Sequence, residues 1–550
     1  MYTNQSIYKK INFIGVSALL FMLISATLYI KTYIPPEYYS PDAAFRTVVL
    51  SAQSVGYGLL FAHSGGNANQ LAFAGTNSSS VGATSTIQAS SYAVDVPVLL
   101  YHGIVTKPDR YNMTAQTFSN QMLALKQAGY QTITLNDFYQ FMNGTKKLPD
   151  KSFLLTFDDG RMDSYQGADP VLNALGFHAV MFVPTGDILH KKVLPGSYYL
   201  DEVALHAMID SGRWELGSLG IQANTAGGEI PIDSAGTQGN FLSNKMWLAD
   251  SGRLETDEEY ITRVSNELVG SKADLQNTLG VPITTFAYPF SDYGQESRNN
   301  SRAVSIINEA LKQNYTLAFQ QVWPVDNTFM SNYQNTDDYH IRRIESGTDW
   351  TGQQLVHVLG DIRAKTLPIT DSFSGNTGWN GTWGNVSVSD SALHLSATAT
   401  TSGAFAYLEG TGGLSDYAFV ATMQWNSGKA VSLFSRFTDG DDTASCTFNQ
   451  DSVRIDQKIG GVDTVLTTVA NPVTLPARSM VAVSVFGTMM QCYEGSRLVA
   501  SAHLPTQLNN GGVALQVWNS TVGSANVSFS KVQIIPNSQA SSILHSLPSY

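Results

Sequence analysis

Between residues 96 and about 360, short apolar runs alternate with stretches of helical spacing. VPVLLYH (96–102), YQTIT, SFLLTF (152–157), HAVMFVP, WELGS, TTFAYPF (284–290), TLAFQ and HIRRIES read as strands. TAQTFSNQMLALKQAG (114–129), LNDFYQFMN, SYQGADPVLNALG, DEVALHAMIDSG and TGQQLVHVLG read as helices between them. TAQTFSNQMLALKQAG ends at a glycine, a usual helix stop. Thr256 and Glu259 stand at capping-box spacing and open a long helix to about Leu279. Strands alternating with helices predict a parallel α/β domain. Seven or eight such units favour a closed or nearly closed (β/α) barrel, whose functional residues sit at the C-terminal ends of strands.

Near residue 370 the period changes. From DSFSGNTGW onward, short alternating runs such as YAFVATMQW, AVSLFSRF, MVAVSVFG, GGVALQVW and VSFSKVQII follow one another with turn residues between them. This predicts an all-β sandwich over 370–536 and a loose tail over 537–550. At the other end, INFIGVSALLFMLISATLYI (11–30) is uncharged over the length needed to cross a bilayer, and Lys9 and Lys10 precede it. It predicts a transmembrane helix over 11–31, residues 1–10 in the cytoplasm and the soluble domains extracytoplasmic at the cell surface; a cleaved signal peptide is the alternative. Residues 32–94 read as a tether, with Pro35-Pro36 and the polar runs SGGNANQ and TNSSSVGATST. Within it, RTVVLSAQSVGYGLLFA (46–62) is apolar enough to dock against something. The domain expected next covers 95–365.

Composition sharpens this picture. Charged residues make up 14% of the chain, against roughly 25% in typical globular proteins. The net charge is −12 and no basic stripe is visible, so nucleic acid is not an expected partner. The two cysteines, Cys446 and Cys492, form no disulfide framework and no zinc cluster. They make one bridge if the chain is exported, or two buried thiols.

The candidate chemistry begins at SFLLTFDDG, where an apolar strand ends on Asp158 and Asp159 before Gly160. Read alone, the pair is either a set of turn-capping carboxylates or the start of an active site. VPVLLYHGI, SFLLTFDDGRMDSY, WELGS, GNFLSNKMWLADSGRLETDEEYITRV and FAYPFSDYG occur in order over 96 to about 360. On these stretches the domain resembles the NodB-homology polysaccharide deacetylases (carbohydrate esterase family 4), in the branch that acts on poly-N-acetylglucosamine. The resemblance implies a NodB-like barrel, a divalent metal of the zinc type and an N-acetylated extracellular polysaccharide as partner. It casts Asp158 as general base, Asp159 as metal ligand and His102 as general acid. It places Tyr288 and Pro289 at the sugar pocket. A metal of this kind lowers the pKa of a bound water and polarises the carbonyl.

The family pattern is broken in one loop. After WELGS the family carries a histidine, then a second four or five residues later. Here Leu219 and Asn224 stand in those places, or Ala223 on the shorter spacing. Leucine offers no lone pair, and an amide oxygen is a weak zinc ligand. Three readings follow. The chain is a deacetylase that recruits other ligands, with His178, His190, His206 and His340 available. Or it is a catalytically inactive relative that binds glycan or assembles matrix. Or it is a metal-free hydrolase using Asp158, Asp159 and His102, which adjacent carboxylates serve poorly. The C-terminal part, on DSFSGNTGW, SCTFNQDSVRIDQKIGG, CYEGSRLVASAHL and GGVALQVW, resembles laminin-G or concanavalin-like sandwiches. That resemblance implies a Cys446–Cys492 pair. It also offers Trp379, Trp383, Trp425 and Trp518 as glycan-docking aromatics, with core packing the plainer role for each.

Overall fold

Seven apolar runs close into a single parallel ring. In this computed structural model, which describes residues 55–56, 92–190, 198–224, 228–323, 328–375, 378–470 and 475–549, the barrel strands are β1 Val98–Tyr101, β2 Gln131–Thr132, β3 Ser152–Phe157, β4 Ala179–Val183, β5 Trp214–Ser218, β6 Thr285–Ala287, β7 Leu317–Val322 and β8 Ile341–Glu345. The ring runs β1-β8-β7-β6-β5-β4-β3 and back to β1, with β2 beside the N-terminal end of β3. The transmembrane helix expected over 11–31 and nearly all of the tether over 32–94 lie outside the described residues. Among the described residues no helix is long and apolar enough to cross a membrane.

Strand parity sorts the core into two layers. Val98, Leu154, Val180, Phe182, Leu317, Phe319 and Ile341 share one apolar cluster, which fills the barrel. Leu99, Leu155, Phe157, Met181, Val183, Ala318 and Ile344 have the opposite parity and pack under the surrounding helices. Those helices carry the signals expected of them. Asp257–Leu279 opens on the Thr256–Glu259 capping box and stops at Gly280 in the left-handed region; Gly352–Asp361 opens on a second box, Thr351 with Gln354.

The C-terminal domain is a sandwich of two antiparallel sheets. Thr443–Asn449 belongs to one and Met489–Glu494 to the other, and a Cys446–Cys492 disulfide joins them. The segment read as a loose tail is ordered instead. Asn537–Ser546 is a helix whose Ala540 and Leu544 cover Ala418, Val420, Ala482 and Ile535. Its apolar positions are few and weakly periodic, and only the exposed side of the sheet gives them a partner.

The two domains share a packed seam. Phe329 and Tyr333, from the barrel, join Phe405, Tyr407 and Phe437 of the sandwich. Lys365 N donates to Gly410 O at 2.7 Å, and Met330 N to Glu409 Oε1 at 3.3 Å. Outward-facing Arg342 donates through Nε to Thr328 Oγ1 at 2.7 Å and reaches Thr438 O with Nη2 at 3.4 Å.

Candidate functional site

The parity that fills the barrel with carbon also sets its mouth. Continuing the inward positions past the strand ends brings His102 after β1, Asp158 after β3, and Arg343, Glu345 and Gln321 of β8 and β7 to one place. Asp158 accepts two hydrogen bonds from Arg343, Nη1 to Oδ1 at 2.5 Å and Nη2 to Oδ2 at 2.8 Å. Both side chains are buried. Glu345 turns one oxygen to Gln321 Nε2 at 2.8 Å and to Trp323 Nε1 at 2.9 Å. Its other oxygen lies 3.7 Å from His102 Nδ1, too far for a hydrogen bond.

Asp159 leaves the strand. Its φ is +72°, in the left-handed region that short polar residues tolerate. Burial pushes its carboxyl above the usual range; His102 pulls it back, Asp158 adds to the rise, and Asn224 and Arg161 lower it further. Asn224 Nδ2 donates to Asp159 Oδ1 at 3.3 Å. The loop carrying Asn224 is held by Glu267, one of whose oxygens accepts from the backbone N–H of Ile221, Gln222 and Ala223 at 2.6, 2.8 and 2.9 Å. On the other side of the mouth, Arg161 Nη1 and Gly103 N both donate to Asn112 Oδ1, at 2.8 and 2.9 Å. A Cβ at Gly103 would stand 2.2 Å from Arg161 Nη2, so a side chain there would displace the Arg161 and Asn112 side chains from their contacts.

The donors around Asp159 do not fit a zinc-type ion. Leu219 is 1% exposed and belongs to the barrel-filling carbon cluster. Ala223 is buried and has no donor side chain. Asn224 turns an N–H toward Asp159, and Asp158 is engaged by Arg343. His190 pairs with Asp274 at 2.7 Å, His340 with Asp337 at 2.6 Å, and His206 lies 3.9 Å from Glu202. His178 follows the turn into β4, its backbone N–H on Thr132 Oγ1. Among the described residues no three His, Cys, Asp or Glu side chains converge as a metal site. Among the described residues, the ligand role assigned to Asp159 finds no imidazole or thiolate partner.

Tyr288 and Pro289 also sit differently from their expected place at the sugar pocket. Tyr288 is the first residue past β6 with outward parity. It is buried under the helices, and its hydroxyl donates to Tyr339 O at 2.8 Å. Pro289 is buried too, and the strand end presents Phe290 to solvent instead. Exposed aromatics do surround the polar floor: Tyr111 with its ring 6.3 Å from that of His102, Tyr198 with its ring 4.5 Å from the Arg161 guanidinium, Trp323 on Glu345, and Phe290. These four are 40–56% exposed. In the sandwich, Trp379 is buried with Nε1 on Asp371, Trp383 and Trp425 are partly buried against apolar clusters, and Trp518 is 38% exposed. The sequence does not single out Arg343, Glu345 or Glu267. The one available signal is HIRRIES, a buried parallel strand with three charges in a position where apolar residues are usual.

The profile of the family described as polysaccharide deacetylase matches residues 145–306. The chain is 28% identical over 189 residues to the poly-beta-1,6-N-acetyl-D-glucosamine N-deacetylase of Escherichia coli (strain K12), covering 31% of this chain and 26% of that one. It thus spans about a quarter of that curated relative's length. Among solved structures, a de-N-acetylase from Aggregatibacter actinomycetemcomitans matches at 20% identity and a TM-score of 0.40, over 48% of this chain and 99% of its own. The carbohydrate binding module CBM66 from Bacillus subtilis matches at 20% identity and a TM-score of 0.23, over 28% of this chain and 92% of its own.

Proposed function

The barrel belongs to the NodB-homology polysaccharide deacetylases, and on that premise we propose that this chain binds N-acetylated, GlcNAc-type extracellular polysaccharide at the barrel mouth, with metal-dependent amide hydrolysis weak or lost. The observation that carries the proposal is the neighbourhood of Asp159: an asparagine amide and a buried leucine stand where the family resemblance requires imidazoles. Amide hydrolysis by this fold needs an activated water and a stabilised oxyanion. Without ligands to hold the ion, neither is supplied. The rest of the mouth suits binding. Exposed rings offer stacking faces for sugars, and His102, Asp159 and Arg161 offer polar contacts between them.

A cell-surface placement belongs to the same proposal. It is supported by the uncharged run at 11–30 behind Lys9 and Lys10, and by a disulfide of the kind that persists in oxidising compartments.

A working deacetylase is the second reading. The Asp158–Arg343 clamp and the His102–Glu345 approach favour it, because the residues cast as base and acid remain assembled. The two readings separate in one experiment. The full chain, supplied with zinc, cobalt or nickel, is assayed for acetate release from N-acetylglucosamine oligomers and, in parallel, for binding them. Binding without release supports the proposal. Release that a chelator abolishes overturns it.

A further inference from the structure

Helix Asp257–Leu279 carries Glu267, Ser271 and Asp274 at spacings of four and three, so all three lie on one face. Each ties a loop at the barrel mouth. Glu267 Oε1 accepts from the backbone N–H of Ile221, Gln222 and Ala223 in the loop after β5. Ser271 Oγ accepts from Ser218 Oγ, at the end of β5, at 2.8 Å. Asp274 accepts from Thr185 Oγ1, in the loop after β4, at 3.0 Å. The two loops are also joined directly, Thr185 N donating to Gly220 O at 2.9 Å. One helix face therefore supports two neighbouring stretches of the rim.

Within this face Glu267 carries the unusual burden. Its side chain is 3% exposed. Burial pushes its carboxyl above the usual range, and the three N–H groups, with Arg263, hold it back. Taking a carboxylate out of water is costly unless such donors meet it. Here three consecutive N–H groups converge on one oxygen, which makes a backbone nest for an anion. The loop is shaped to admit that oxygen. Gly220 has a φ of +83°, and a Cβ there would stand 2.6 Å from Glu267 Oε1, so a side chain would push the carboxylate off the loop. Asn224 follows the last pinned residue directly, and its Nδ2 reaches Asp159 Oδ1 at 3.3 Å. A bond of that length holds only while the loop stays in place.

We propose that Glu267 is a positioning residue of the barrel mouth: it fixes the backbone of residues 221–223, and through Asn224 it orients Asp159 toward an N-acetylated glycan that it does not itself touch. The inference rests on the reading of the mouth as a glycan site. It adds that part of the mouth's affinity is set from the far side of the 219–224 loop, by one oxygen whose position matters more than its charge.

The test measures binding of an N-acetylglucosamine hexamer to the full chain, with amide hydrogen exchange over residues 219–224 read in parallel. Glu267→Asp keeps the charge and withdraws the oxygen by one methylene. Glu267→Gln keeps the oxygen in place and removes the charge. Glu267→Asp is expected to weaken binding on the order of tenfold and to speed exchange at 221–223, while Glu267→Gln stays near the parent in both. Glu267→Met, which offers no oxygen, is a second route to the same loss should Glu267→Asp fail to fold. Asn224→Ala should weaken binding to a similar degree, and combining it with Glu267→Asp should add little, because both act on Asp159 by one route. Leu279→Ala removes buried carbon from the same helix and should leave affinity unchanged. Unchanged binding in Glu267→Asp and Glu267→Met overturns the inference and leaves the mouth reading standing. So do additive losses in the combined variant, or a loss in Leu279→Ala as large as in Glu267→Asp. If the parent chain does not bind the hexamer, the mouth reading falls and the positioning role falls with it.

Discussion

Arg343 grips Asp158 across the width of strand β1, with each guanidinium Nη on one carboxylate oxygen. The residues are 185 positions apart in sequence but meet because β3 and β8 both flank β1. The clamp orients Asp158 and satisfies a charge that the fold has taken out of water. The guanidinium in turn lies 5.1 Å from the centre of the Phe182 ring.

Breaking that pair from one side should be costly. Arg343→Ala leaves a buried carboxylate without its partner, and a loss of about 3–5 kcal/mol is expected in urea denaturation. Arg343→Met combined with Asp158→Asn should lose much less, because no uncompensated charge remains. Equal losses in the two variants would show that the arginine contributes packing rather than pairing.

Restoring imidazoles tests the account of Asp159. Leu219→His with Asn224→His should raise zinc affinity by at least tenfold, read by competition with a chromogenic chelator. Leu219 fills the barrel, so the same variant should lose roughly 1–3 kcal/mol of stability. No gain in affinity would mean that the 219–224 loop is not the place from which this fold supplies ligands.

Glu409, buried in the domain seam, gives a pH dependence of known sign. Burial raises its carboxyl to about 7 from 4.5, against the pull of the Met330 and Gly410 N–H groups and of Lys365 and Arg342. The folded chain thus holds this proton more tightly than the unfolded chain does. Its contribution is fully present below about pH 4.5 and is lost as pH rises through about 7. Glu409→Gln should flatten the Tm–pH curve across that window, by an amount equivalent to a few kcal/mol. Parallel curves for variant and parent would rule out Glu409 as the titrating group.

The Cys446–Cys492 bridge closes a separation of 46 residues and ties the two sheets together. Chain entropy assigns such a loop about 4 kcal/mol. Reduction, or Cys446→Ser with Cys492→Ser, should lower the urea midpoint of the sandwich transition accordingly, followed by Trp fluorescence. A midpoint unmoved by reduction would leave sheet packing alone as the source of the sandwich's stability.

Much of this fold is legible in local pattern. Apolar runs such as SFLLTF form strands because both faces of a barrel strand are buried, and Thr256 with Glu259 starts a helix through contacts three residues apart. The helix at Asn537–Ser546 is not legible, because its own periodicity is weak and its stability comes from a distant sheet. The misplacement of Tyr288 has a related cause. A motif gives its position at a strand end but not the parity that turns its ring under the helices.

By itself the sequence determined the alternation of strands and helices, the change to an all-β grammar near 370, the aspartate pair at a strand end and the leucine and asparagine at 219 and 224. All of these are properties of neighbouring residues or of their spacing. Only the tertiary structure decided that Arg343 clamps Asp158, that Glu345 approaches His102, that Asn224 meets Asp159, and that Phe329 of the barrel packs against Phe437 of the sandwich. Those pairings depend on which strands become neighbours when the ring closes and on how the sandwich docks, and no local pattern encodes either.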